Sequence, residues 1–201
     1  MNTNKKNYMK AVRALRIPLL SAAAVLLGGC VVTSVDPFYR ENDPIFEPAL
    51  LGHWTKVQQP DECWTFEQGN GNSYRVVCAD KGSTNIGQAY LFKLEGHTFI
   101  DFSAPTWKEE IQPEPVPSHI LAHVVQLNPT LKLSVLNYDW LKELMAKDPK
   151  ALRHLVVRRA ENPEYSRIVL TADTAELQRF VLKHLNTQAA WETGVELRAD
   201  P

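Results

Sequence analysis

The sequence predicts a mainly β, α+β fold: an antiparallel meander that forms a curled sheet or closes into a barrel, with two helices late in the chain. Three observations predict it. Short runs with strand-like alternation recur from residue 51 onward, and Leu131-Lys132-Leu133-Ser134-Val135 is the cleanest. Tight-turn pairs separate them, at Asn70-Gly71, Glu95-Gly96 and Asn128-Pro129. Apolar residues at helical spacing appear only after residue 137.

The elements follow in order. A first strand is expected over 53–57. Residues 63–67 and 74–78 flank Gly69-Asn70-Gly71-Asn72 and read as a hairpin. Residues 88–94 and 97–102 form a second hairpin around Glu95-Gly96. Residues 103–117 hold four prolines and no periodicity, so a long loop is expected there. Residues 118–127 and 131–136 form a third hairpin around Asn128-Pro129. Asn137 suits a helix N-cap, Asp139 favours the dipole of the first turn, and Trp140, Leu141, Leu144 and Met145 share one face. Strands are expected over 154–158 and 166–170, around Asn162-Pro163. Asp173 with Glu176 resembles a capping box and opens a last helix, with Leu177, Phe180, Val181, His184 and Leu185 on one face. The total is about eight or nine short strands at the spacing of a meander.

The N-terminal region has a different composition. Lys5, Lys6, Lys10, Arg13 and Arg16 make a basic start with no acidic residue before Cys30. The apolar stretch 17–27 is shorter than the ~20 residues that a transmembrane helix needs. Basic start, short apolar run and small residues are the order of a secretory signal. Three segments are therefore expected: a signal peptide at 1–29, a proline-bearing tether at 30–50 with Pro37, Pro44 and Pro48, and a single β-rich domain at 51–201. Removing the signal leaves 17 basic and 23 acidic residues. That acidic balance argues against nucleic acid as a partner.

Leu27-Gly28-Gly29-Cys30 resembles the lipobox of bacterial lipoproteins. The resemblance implies cleavage before Cys30 and acylation of its thiol, which makes the lipid bilayer a partner through the acyl chains. Two or more chains hold a protein stably on a membrane. Val31 stands where an Asp would resemble an inner-membrane retention signal, so the resemblance points to the outer membrane, facing the periplasm. Residues 168–180 are similar to a recurring ending of bacterial lipoproteins, which implies nothing about activity.

Gly52-His53-Trp54 is similar to the Gly-x-Trp that opens the first strand of lipocalins. That resemblance implies an up-and-down barrel that holds an apolar ligand, with the Trp plugging its closed end. The same residues also fit a turn glycine and a core tryptophan of any β domain.

Cys63 and Cys78 are the other cysteines. A two-residue turn centred on Asn70-Gly71 would set them directly opposite each other, as an exported disulfide requires. That places them as a hydrogen-bonded pair, the less usual site for a cross-strand bridge. Reduced thiols or a metal pair are the alternatives. With no C-x-x-C present, redox chemistry is not expected.

No catalytic constellation emerges. There is no P-loop, dinucleotide fingerprint, H-E-x-x-H or G-x-S-x-G. His119 and His123 share a strand face but lie ~13 Å apart, too far to share one ion. Asp101 reads as a surface turn residue, His184 as a core or border residue, and Glu109-Glu110 as solvated loop. No catalytic residue, metal ligand or cofactor is expected. Trp107, in the long loop, is the candidate ligand contact. The leading expectation is a membrane-anchored module that binds a small apolar ligand, and the alternative is a structural lipoprotein that binds another envelope protein.

Overall fold

Strands with one apolar face must hide it, and this sheet does so by closing on itself. A computed structural model describes residues 31–80, 82–103, 118–159 and 162–200. In chain order its strands begin with β1 (Thr33–Ser34), β2 (Pro44–Ile45), β3 (Gly52–Lys56), β4 (Gln59–Gln68) and β5 (Ser73–Asp80). Next come β6 (Ser83–Leu94), β7 (His97–Ser103), β8 (His119–Gln126) and β9 (Thr130–Leu136). Helix α1 (Tyr138–Lys147), the strands β10 (His154–Arg159) and β11 (Asn162–Leu170), helix α2 (Thr174–His184) and β12 (Trp191–Ala199) complete the chain.

Strands β3 to β9 pair in sequence, each antiparallel to the next. β12 then pairs with both β9 and β3, which closes an eight-stranded antiparallel barrel. The segment α1–β10–β11–α2 is thus an insertion between two neighbouring barrel strands. β10 and β11 extend the sheet sideways from β8 through the short β1.

The core has two parts. Inside the barrel lie Trp54, Phe66, Leu91, Ile100, Leu133 and Leu197, among others. Outside, the wall formed by β6, β7 and β8 turns Phe92, Phe99 and Leu121 toward Leu141 and Met145 of α1 and Leu177 and Phe180 of α2. This wall is buried on both faces, so Ala89-Tyr90-Leu91-Phe92 and Phe99-Ile100 read as continuous apolar runs. The helices begin where the sequence puts them. The Asn137 side chain accepts from the Trp140 amide at 2.9 Å, and Asp173 accepts from the Glu176 amide at 2.9 Å.

One end of the barrel is sealed. Residues Pro48–Leu50 form a single 3-10 turn that runs into β3. Trp54, buried inside, donates from Nε1 to the Leu50 carbonyl at 3.0 Å. Phe46 stacks on Tyr74 with ring centres 5.2 Å apart, and the Tyr74 hydroxyl accepts from the Glu47 amide at 2.6 Å.

Two expectations change. Cys63 and Cys78 are free thiols, not a disulfide. The loop closes as Gly69 to Ser73, with Ser73 N donating to Asn70 O and only Gly71 of the turn pair at positive φ. The register is therefore one residue off the expected one: Cys63 lies opposite Ala79 and Cys78 opposite Trp64. A slip of one residue turns a side chain to the other face, so the two thiols point to opposite sides of the wall. β12 is the second change, a strand beyond the expected last helix. From Val32 on, the proline-bearing stretch lies along the barrel. β1 joins β8 to β11, β2 pairs with β6, and Thr174 Oγ1 donates to the Pro37 carbonyl at 2.7 Å.

Candidate binding site at the open end of the barrel

Among the described residues, nothing closes the end of the barrel opposite Trp54. This end is bounded by the end of β3, the start of β4, the end of β5 and the start of β6. These strands run antiparallel, so alternate connections meet at one rim. Inside it is a cavity of about 140 Å³. An apolar cavity of about 150 Å³ is enough to take one benzene ring. Trp64, Phe102, Ile120, Leu133 and Val135 are among the apolar residues that wall it. Trp64 and Phe102 meet edge to face, with ring centres 5.7 Å apart. Gly87 and Ala122 also line it, and their small size leaves the room that larger inward residues would fill.

The rim is polar. Lys56, Glu62 and Asp80 all line the cavity. Glu62 is only 7% exposed, and its Oε2 accepts from Lys56 Nζ at 2.7 Å. Glu62 and Asp80 are cross-strand partners on β4 and β5, so their carboxylates face the same interior. Glu62 Oε1 and Asp80 Oδ1 are buried with no hydrogen-bond partner among the described residues. The Cys78 thiol lies just below, and burial, then the nearby Cys63, pushes its pKa up to about 12. It is therefore a neutral thiol in the wall, with the thiolate form suppressed.

A second polar cluster lies on the outer wall. Asp101 is completely buried. Its Oδ2 accepts from the Phe38 amide at 2.8 Å, and its Oδ1 accepts from His119 Nδ1 at 2.8 Å. Tyr39 stacks on Tyr90 at 4.5 Å, and burial, Tyr90 and Asp101 together push its hydroxyl well above the ordinary range. Gln178 of α2 donates to the Phe38 carbonyl at 3.0 Å and to Asp43 Oδ2 at 2.9 Å. All these groups are occupied in fastening residues 37–43 to the wall.

Among the residues singled out in the sequence, His119 and His123 do share the outer face, but they do not act together. His119 belongs to Asp101. His123 packs among Phe99, Trp191 and His97 at 5.0, 5.6 and 5.8 Å between ring centres, and burial, then His97, lowers its pKa. His184 packs on Phe180 and Trp140, where burial also lowers its pKa. Cys30, Trp107 and Glu109-Glu110 lie outside the described residues. Ser103 lies on the cavity rim, where its hydroxyl donates to the Gln88 carbonyl at 3.3 Å. Among the described residues, no group of three or more His, Cys, Asp or Glu side chains is placed to hold a metal ion, and no helix is long and apolar enough to cross a membrane.

The residues that sequence reasoning missed are Lys56, Glu62 and Asp80. Their signal was position: charged residues two apart from inward aromatic or apolar ones, Glu62 with Trp64 and Asp80 with Cys78, share the interior face once the register is known. The architecture is thus a closed antiparallel barrel with one sealed end and one open, amphipathic end. Comparison with protein families, curated proteins and solved structures found no match.

Proposed function

We propose that this protein is a lipid-anchored lipoprotein of the bacterial envelope whose barrel binds a small apolar ligand in its open end. The carrying observation is the cavity: one end of the barrel is sealed by Trp54, while the other leaves space walled by Trp64 and Phe102. A pocket with apolar walls and a few convergent polar groups is the usual form of a small-molecule site. The anchor rests on Leu27-Gly28-Gly29-Cys30, with an outer-membrane address following from Val31. Because Val32 is buried against the domain, acyl chains on Cys30 would hold the barrel close to the bilayer surface. No catalytic role is part of this reading. Native mass spectrometry of the Cys30→Ser chain purified from its own host tests it. A co-purifying small molecule of one-ring size supports the proposal. A barrel that stays empty, and takes up no apolar dye, overturns it.

One observation favours the alternative, an envelope protein that binds another protein. Leu155, Val156 and Val157 of β10 are all about half exposed or more, at 59%, 48% and 49%. β10 is also the edge of the side sheet, where an unpaired strand is open to pairing. A stoichiometric protein in the same spectrum, lost on Val156→Lys, would select this reading.

A further inference from the structure

The cavity reading leaves two atoms without a role: Glu62 Oε1 and Asp80 Oδ1, acceptors buried at its rim without a donor among the described residues. A buried, unpaired acceptor costs about 1–3 kcal/mol, more when it is charged. Two carboxylates directly opposite on neighbouring strands add repulsion. Lys56 answers only part of this, since it binds Glu62 through Oε2 and leaves Oε1 and Asp80 facing inward. We propose that the open end of the barrel is a subsite for a primary ammonium group, and that the ligand is a small amine with an apolar, one-ring body. This rests on the cavity reading above and names its ligand class.

The geometry suits that head group. An ammonium carries three donors and no acceptor. Directly opposite residues hold their Cβ atoms about 4.5–5.5 Å apart, so one nitrogen can reach both carboxylates. Trp64 is two residues from Glu62 on the same strand face and lies opposite Cys78, itself two residues from Asp80. The aromatic pair Trp64–Phe102 is therefore directly below the carboxylates, where a ring attached to the ammonium would lie. The ring faces also attract the cation itself. A carboxylate-bearing ligand would meet two like charges for one lysine. The neutral Cys78 thiol contributes no charge to either balance.

Calorimetric titration of the full chain carrying Cys30→Ser with three matched compounds tests this. They are phenethylamine, phenethyl alcohol and phenylacetate, which share an aromatic ring and differ in the head. The amine should bind about tenfold tighter than the alcohol, or more, because charge-assisted hydrogen bonds are worth more than neutral ones. Phenylacetate should bind most weakly. Glu62→Gln and Asp80→Asn should each remove most of the advantage of the amine and leave the alcohol unchanged. Lys56→Met should strengthen amine binding by freeing Glu62 Oε2. If the alcohol and the amine bind equally to the unsubstituted site, or if phenylacetate binds best, the head-group assignment is overturned while the cavity reading stands. If none of the three binds, the cavity reading fails for one-ring ligands and takes this inference with it. The unsubstituted ranking decides alone, and alcohol binding reports cavity integrity in each variant.

Discussion

Replacing Asp101 by alanine should loosen the whole N-terminal stretch from the barrel. Asp101 has no exposed surface, and two groups depend on it, the Phe38 amide and the His119 ring, both at 2.8 Å. Each of these hydrogen bonds, once its buried acceptor is gone, leaves a donor unpaired at about 1–3 kcal/mol, so the two together cost about 2–6 kcal/mol. For a domain whose total stability is about 5–15 kcal/mol, the loss is large. Asp101→Asn keeps one carbonyl oxygen for Phe38 and should cost roughly half as much. Guanidinium unfolding gives the global change, and native-state hydrogen exchange at the Phe38 amide gives the local one. The alanine variant should show both a lower midpoint and faster exchange at Phe38. An Asp101→Ala midpoint within about 0.5 kcal/mol of the parent, the range of ordinary surface substitutions, would refute the reasoning. So would unchanged exchange at Phe38.

Three further outcomes are expected. Trp54→Ala should cost about 3–5 kcal/mol for the large buried side chain, while Trp54→Phe, which strips the donor from the Leu50 carbonyl, should cost about 1–3 kcal/mol; urea unfolding of the pair separates packing from hydrogen bonding. At mildly alkaline pH, iodoacetamide should label Cys63 well before Cys78, whose thiol sits at about 12, and peptide mapping of the folded protein would contradict this if both labelled together. His123 should make the fold acid-sensitive: its folded pKa lies below the ordinary 6.5, so the unfolded chain binds the extra proton. That contribution is fully present above about 6.5 and is lost as pH falls through the lower folded value. His123→Phe should flatten the pH dependence of the unfolding midpoint in this window, and an unchanged slope would exclude His123 as its source.

The alternation at 131–136 and the turn at Glu95-Gly96 sufficed to place β9, β6 and β7, and the caps Asn137 and Asp173 placed both helices. These are local signals, carried by a few adjacent residues. What stayed illegible depends on distant pairing. β12 was hidden because its pairing shifts between Thr193 and Val195, which breaks the period of two in Trp191-Glu192-Thr193-Gly194-Val195. A Cβ at Gly194 would lie 3.1 Å from Val135 Cγ1, so Val135 would have to give by a few tenths of an ångström. The hairpin register turned on whether Asn70 takes positive φ, a choice that one residue of sequence does not fix. The polar rim failed to show for a related reason. Glu62 and Asp80 lie just beyond the expected strands 63–67 and 74–78, and they become interior only when the barrel closes around them. Asp101 likewise read as a surface turn residue, and it is buried where the N-terminal stretch covers it.

β12 fills the gap between β9 and β3, and it follows every other strand in the order of synthesis. Until it arrives, β3 and β9 each present a bare row of amides and carbonyls to whatever is nearby. A chain emerging from its N-terminus must therefore complete helices, side sheet and most of the wall around an unfinished staircase. The cavity at the open end closes only once the C-terminal strand is in place. Deleting the nine residues of β12 should therefore produce aggregating material rather than a slightly less stable barrel.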